Sequence, residues 1–179
     1  MERVKRIIYT IGHSTRAIGE FIEILKAHRI EQVVDIRTIP RSLHNPQFNR
    51  DAIAKSLRNR HINYRHMKNL GGLRHAAKDS INKGWVNSSF RGFADYMQTD
   101  EFDKALDKLI GLSTKRTIAI MCAEAVPWRC HRSLIADALT VRNIPVEDIY
   151  SKTNVKEHRM TSFARINSGK LTYPEEDAR

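Results

Sequence analysis

Apolar residues in this chain fall in short runs, and two spacings recur. Residues 7–11 are almost continuously apolar and stop at Gly12, the pattern of a strand covered on both faces of a parallel sheet. Ser14 or Thr15 is then expected to cap a helix, because Ile18, Phe21, Ile22 and Leu25 follow at i, i+3, i+4 and i+7. Residues 32–36 form a second buried-strand run, and the segment between is long enough for the crossover that parallel pairing needs. The pattern loosens from 37 to 60, where Pro40, Asn45 and Pro46 mark loop, with a short helix over 51–57 and a third strand at 62–65. A polar, glycine-containing stretch runs from there to about Ser89. Helical spacing returns at 90–97 and 102–112, with Thr99 and Asp100 as a cap between them. Residues 117–121 give the clearest buried strand. The segment 127–141 reads as a helix opened by Pro127 and stopped by Asn143 and Pro145, and 146–150 is the last strand.

Strands alternating with helices predict an α/β fold, a single domain with a mostly parallel central sheet and helices on both faces. Residues 1–150 are expected to form it, with a loop-rich insertion at about 37–91. Residues 151–179 are read as a C-terminal extension, frayed from Tyr173 onward. A length of 179 residues with 41% hydrophobic content is enough for one ordinary core without disulfide or metal staples. The apolar runs fall far below the roughly 20 residues of a membrane helix. The charged start of the chain carries no secretory or transit pattern, so no membrane partner and a cytoplasmic location are expected.

The net charge of +11 is unevenly distributed. Residues 37–91 hold twelve Lys/Arg against two Asp/Glu, whereas 1–36 hold six against five and 92–179 thirteen against thirteen. A localised basic surface that also carries Phe48, Tyr64, Trp85 and Phe90 fits an anionic small molecule or a nucleic acid as partner. A solvated basic face with no partner accounts for the charge alone.

In open parallel sheets ligands bind beyond the carboxyl ends of the strands, and that is where this sequence gathers its reactive side chains. His13, Ser14 and Arg16 follow the first strand and Arg37 follows the second. After the 117–121 strand comes CAEAVPWRCHR, residues 122–132. If this segment leads into a helix N-terminus, its free N–H groups favour anions and lower the pKa of a nearby thiol. Cys122 is then a candidate nucleophile, with Glu124 or His131 as proton carrier, and Arg129 and Arg132 as grips for carboxylate or phosphate. The competing readings are structural: Cys122 as a small buried hydrophobe, His131 as an interior histidine in line with Ile135. Cys130 shares a helical row with Leu134, Ala138 and Val141 and is read as packing. Phosphate-cradling cysteine loops of the phosphatase and rhodanese kind place a cysteine similarly. The phosphatase loop has five residues between Cys and Arg, however, and here six separate Cys122 from Arg129. The cysteines lack the spacing of a structural zinc site, and no metal is expected. Gly71, Gly72 and Arg74 read either as an anion nest or as a turn. Asp35, in a buried strand, needs a partner such as Arg37.

Five strings appear in order: TIGHS at 10–14, DIRTIPRS at 35–42, LGGLR at 70–74, FADYMQTDEF at 93–102 and MCAEAVPWRCHRSLIADAL at 121–139. Together they resemble the domain of unknown function 488 family over about residues 6–150. The resemblance implies an α/β fold and a pocket lined by the motif residues, here His13, Ser14, Arg37, Pro40, Gly71, Gly72, Arg74, Cys122, Glu124, Cys130, His131 and Arg132. It implies neither a reaction nor a cofactor.

Two functions follow from these readings. One is an enzyme that binds a phosphorylated or nucleotide-like ligand and works through Cys122. The other is a nucleic-acid-binding module that uses the 37–91 segment, with structural cysteines. A hybrid, in which the basic segment holds a nucleic-acid substrate for the pocket, belongs to both.

Overall fold

All five strand-like runs become strands of one sheet in the computed structural model, which describes residues 6–176. The order along the chain is β1 (Ile8–Gly12), α1 (Ile18–Ala27), β2 (Gln32–Asp35), α2 (Arg50–Arg58), β3 (Asn63–His66), α3 (Ser88–Tyr96), α4 (Asp100–Ser113), β4 (Ile118–Cys122), α5 (Arg132–Val141) and β5 (Val146–Ile149). Three short strands follow: β6 (Val155–Glu157), β7 (Arg165–Asn167) and β8 (Lys170–Thr172). The main sheet runs β3-β2-β4-β1-β5-β6. Its first five strands are parallel, and β6 closes one edge antiparallel to β5. The expected α/β fold with a mostly parallel sheet is what forms.

The helices divide between the two faces. On one, Phe21, Ile22 and Leu25 of α1 and Ile53 and Leu57 of α2 pack on Ile11, Val33, Ala119 and Met121. On the other, Phe93, Phe102, Leu106, Leu134 and Leu139 from α3, α4 and α5 pack on Ile8, Val34, Ile118 and Ile120. Every residue of β4 is buried because both layers cover it, which is why its sequence is apolar without alternation. The chain leaves β1 and β2 toward the first layer and β4 toward the second. The end of β4 therefore sits between two strands whose connections depart to the opposite face, the arrangement that opens a crevice in a parallel sheet.

Local chemistry shifts several boundaries. Thr99 caps α4 as expected, accepting from Phe102 N at 3.3 Å, but α3 begins earlier than its apolar pattern because Asn87 Oδ1 accepts from Ser89 N and Phe90 N. Neither Ser14 nor Thr15 caps α1. Ser14 has a left-handed φ of 51° and gives its N–H to the Ala123 carbonyl at 2.9 Å, while Ala17, with extended backbone and no capping side chain, precedes the helix. The expected helix over 127–141 splits. Pro127 opens only a single 3-10 turn, Pro127–Arg129, the backbone is extended at Cys130, and α5 starts at Arg132.

The C-terminal extension returns to the domain. Tyr173, expected to begin a frayed end, is fully buried. Its hydroxyl donates to Asp137 Oδ2 at 2.8 Å, and its N–H donates to Asn82 Oδ1 at 2.9 Å. Asp137 lies on the buried side of α5, where a lone carboxylate is costly, so hydrogen bonds from the extension answer it. Of the stretch expected to fray, residues 177–179 lie outside the described residues, as do residues 1–5 of the charged N-terminal lead. The 37–91 segment supplies α2 and the edge strand β3 as well as loops.

Gly12 is where the end of β1 and the turn after β4 touch. A Cβ on it would lie 1.6 Å from the Glu124 carbonyl oxygen, a backbone atom that cannot swing aside. Gly12→Ala is expected to cost about 1–3 kcal/mol, read as a lowered urea midpoint, whereas Gly111→Ala, in open space on α4, should leave the midpoint unchanged or raise it.

Candidate functional site

Beyond β4 the chain folds back over the sheet end and is held from two sides. His13 N donates to the Cys122 carbonyl and Ser14 N to the Ala123 carbonyl, each at 2.9 Å. From the other side comes Arg132, the first residue of α5, 1% exposed. Its Nη1 donates to Cys122 Sγ at 2.7 Å and to the Glu124 carbonyl at 2.6 Å, and its Nη2 donates to the Ala125 carbonyl at 3.2 Å. The guanidinium is thus in direct contact with the sulfur. Burial by itself raises the Cys122 pKa, but the adjacent Cys130 thiol, the Arg132 charge and the hydrogen bonds outweigh it, and the thiol drops to about 7. Cys130 goes the other way, raised by burial and by the neighbouring Cys122. The two thiols are thus pushed apart, Cys122 toward ionisation and Cys130 toward keeping its proton.

The remaining residues of this region are placed differently from expectation. Glu124 is exposed, and it contacts Cys122 and Arg132 through its backbone carbonyl. His131 is half-buried, with its ring against Phe93. Its Nε2 donates to the Leu70 carbonyl at 2.9 Å and the Ile36 carbonyl at 3.2 Å, which leaves the Nδ1 lone pair facing Cys130 Sγ at 3.6 Å. Burial lowers its pKa to about 4, so it is a neutral acceptor behind Cys130 rather than a base beside Cys122. Gly72 permits this arrangement, since a Cβ there would meet the His131 ring at 2.5 Å. The Gly71-Gly72 pair therefore packs under His131 and Thr38.

The arginines also part company. Arg37 is engaged by Asp35 through two bonds, Nε to Oδ1 at 3.0 Å and Nη2 to Oδ2 at 2.7 Å, and also donates to the Phe48 carbonyl. This is the ion pair that Asp35 required, and Tyr64 completes it with a hydroxyl bond to Oδ2 at 2.6 Å. His13 stacks on Phe48, gives Nδ1–H to the Ser14 carbonyl, and turns Nε2 toward Arg37 Nη1 at 3.3 Å. Desolvation drops its pKa to about 4. Arg74 lies over the Tyr96 ring at 3.5 Å. Arg129 is exposed at the end of its turn. Arg37 and Arg132, expected as anion grips, are both bonded to partners within the chain, while the Arg129 side chain, among the described residues, is not. Nor does α5 offer a bare N-terminus: Arg132 N bonds Cys130 Sγ at 3.4 Å and Ser133 N bonds the Cys130 carbonyl at 3.1 Å.

Sequence reasoning missed a cavity of about 1040 Å³ between β5, β6, the Pro127–Arg129 turn and the returning chain, lined among others by Trp85, Trp128, Tyr150, Lys156, His158 and Arg159. Its floor is ionic. His158 Nε2 donates to Asp137 Oδ1 at 2.7 Å, its Nδ1 lies 3.5 Å from Asp148 Oδ2, and Thr10 donates to the other Asp148 oxygen. One signal pointed here: Asp137 is an acid inside a helix whose residues 132–139 are otherwise suited to burial, and such a charge needs a partner from elsewhere in the chain. The short, exposed strand β6 beside the cavity carried no comparable signal.

These features define an α/β domain with a buried Cys–Arg pair at the crevice of its sheet and an aromatic, cation-bearing cavity beside it. The chain belongs to the family described as Domain of unknown function DUF488, whose model matches residues 17–139. Cys122, Cys130, His131 and Arg132 lie inside the matched span, whereas β1, β5 and the chain that walls the cavity from residue 148 onward lie outside it. No curated protein and no solved structure matches the chain. Among the described residues, no helix is long and apolar enough to cross a membrane.

Burial pushes the His158 pKa down, but the hydrogen bonds and charges of Asp137 and Asp148 more than reverse this, to about 9 against an ordinary 6.5. A raised folded-state pKa gives stability that is complete below about 6.5 and is lost as pH rises through about 9. Cys122 acts with the opposite sign over much of that window, so the comparison must be made against a variant. Chemical denaturation of wild type and His158→Gln should show a gap that is widest near pH 6 and closes as pH approaches 9.

Proposed function

We propose that this protein is a cysteine-dependent enzyme acting on an anionic ligand, with Cys122 as its nucleophile. The observation that carries this reading is the 2.7 Å contact between the buried Arg132 guanidinium and Cys122 Sγ, which holds the sulfur as a thiolate near neutral pH. Cys130 keeps its proton beside the thiolate, with the His131 Nδ1 lone pair 3.6 Å behind it as a hydrogen-bond acceptor, and this thiol is the near proton source for a leaving group. A ligand oxyanion that replaced the Glu124 and Ala125 carbonyls on Arg132 would loosen the exposed 123–125 turn and bring the ligand to Cys122. Arg129, exposed on the same loop, adds charge for the approach.

A second reading, nucleic-acid binding, draws on a polar basin of about 550 Å³ between α2 and β3, lined by Arg50, Arg58, Arg65 and His66. Under it, affinity for nucleic acid falls steeply with salt and Cys122→Ser binds as wild type does.

The deciding experiment is site-resolved alkylation by iodoacetamide across pH, read by mass spectrometry. Cys122 should react with a midpoint near 7 and Cys130 only slowly at every pH. Arg132→Met should raise the Cys122 midpoint, with circular dichroism confirming that the fold survives. A Cys122 that titrates at the ordinary value of about 8.5, or that is inert until the protein unfolds, would sink the nucleophile assignment and leave the nucleic-acid reading.

A further inference from the structure

The cavity beyond β5 has its own recognition chemistry, separate from that of Cys122. We infer that it binds a nucleoside phosphate, as a free nucleotide or as a nucleotide of a single strand, with the base against Trp128 and the phosphate at Lys156 and Arg159. Its volume of about 1040 Å³ is on the scale of small-molecule sites, which run to roughly 1,000 Å³. Trp128 is 63% exposed on the turn that leads into α5. Leaving so large an indole in water is unfavourable unless something covers it, and a purine or pyrimidine face is the natural complement. The opposite condition holds for Trp85. It is fixed by Phe90, Phe163 and Tyr173 with ring centroids 4.9–5.5 Å away, and its Nε1–H is buried with no hydrogen-bond partner. A buried indole N–H usually has one, and Trp85 is among the residues that line the cavity.

The charges favour an anion. Asp148 is already answered by His158 and Thr10. Among the described residues Lys156 and Arg159 form no salt bridge, and the Lys156 ammonium stands 5.6 Å from the Tyr150 ring centroid. The remaining acid of the lining, Glu157, is exposed and faces Glu147 across the β5–β6 pair. Two unpaired cations therefore flank an aromatic wall, and a ligand with a planar face and a phosphate satisfies both at once.

Isothermal titration calorimetry of the full chain tests this with four probes: adenosine monophosphate, adenosine, inorganic phosphate and a short single-stranded oligoadenylate. Adenosine monophosphate should bind at least tenfold more tightly than adenosine or phosphate alone. Trp128→Ala should weaken it at least tenfold, and Lys156→Gln with Arg159→Gln should abolish the advantage over adenosine. Both sets of substitutions are at exposed positions, and Cys122→Ser should bind as wild type, which keeps the result independent of the thiolate proposal. Tighter binding of the oligoadenylate assigns the site to a strand, and tighter binding of the mononucleotide assigns it to free nucleotide. Absence of heat from both, or unchanged affinity in the Trp128 and Lys156/Arg159 variants, overturns the inference.

Discussion

The largest of the fully buried side chains is not an apolar one but the guanidinium of Arg132, and the architecture around the end of β4 is what a charge in that place demands. A cation taken out of water is tolerated only where its N–H groups are bonded and an opposing charge lies close. Cys122, its pKa lowered to about 7 in this setting, lies against the guanidinium, and the Glu124 and Ala125 carbonyls provide acceptors by turning inward, while the Arg132 Nε–H has no partner among the described residues. That inward turn presses the backbone onto β1, so residue 12 has no room for a side chain. Arg132 stands at the start of α5, after a break in which extended Cys130 receives the Arg132 and Ser133 N–H groups. A cysteine in contact with charge, a glycine and a split helix gather around one buried cation.

The same logic recurs along the carboxyl ends of the sheet. Asp35 and Arg37 neutralise each other at the end of β2, with Tyr64 and the Phe48 carbonyl taking up the remaining capacity. Asp148, at β5, is joined to His158 and through it to Asp137. Each of these clusters pairs opposite charges within the chain, so the crevice is polar yet largely satisfied. The buried side-chain groups left without a partner among the described residues are the Trp85 Nε1–H, the Arg132 Nε–H and Gln32 Oε1.

Much of the fold was legible in the sequence because the driving pattern was strong. Runs such as 117–121 have no alternation, and only a strand covered on both faces accounts for that in a chain otherwise rich in charge. The apolar spacing of Phe21, Ile22 and Leu25 marked α1 equally well. The candidate site was legible in its residue types and its place beyond the strands, but not in its bonding. Which arginines would be free depended on backbone carbonyls, those of Glu124, Ala125 and Phe48, that no side-chain pattern reveals. Pro127 was correctly read as a helix opener, yet the helix it opened lasts one turn, and the backbone is extended at Cys130 before α5 begins. The three strands of the extension escaped because they are short and mostly exposed, with only Leu171 buried among them, and periodicity requires a buried face.

The bond between Tyr173 and Asp137 joins residues 36 positions apart in sequence, and the ribosome makes them in the unfavourable order. Helix α5 emerges with its carboxylate on the side that must enter the core, before either His158 or Tyr173 exists to receive it. Until those residues have cleared the exit tunnel, docking of α5 onto the sheet would strand a negative charge in an apolar layer. The carboxylate on α5 is thus answered only once the extension has been made, so the cost of burying it falls on the partly synthesised chain.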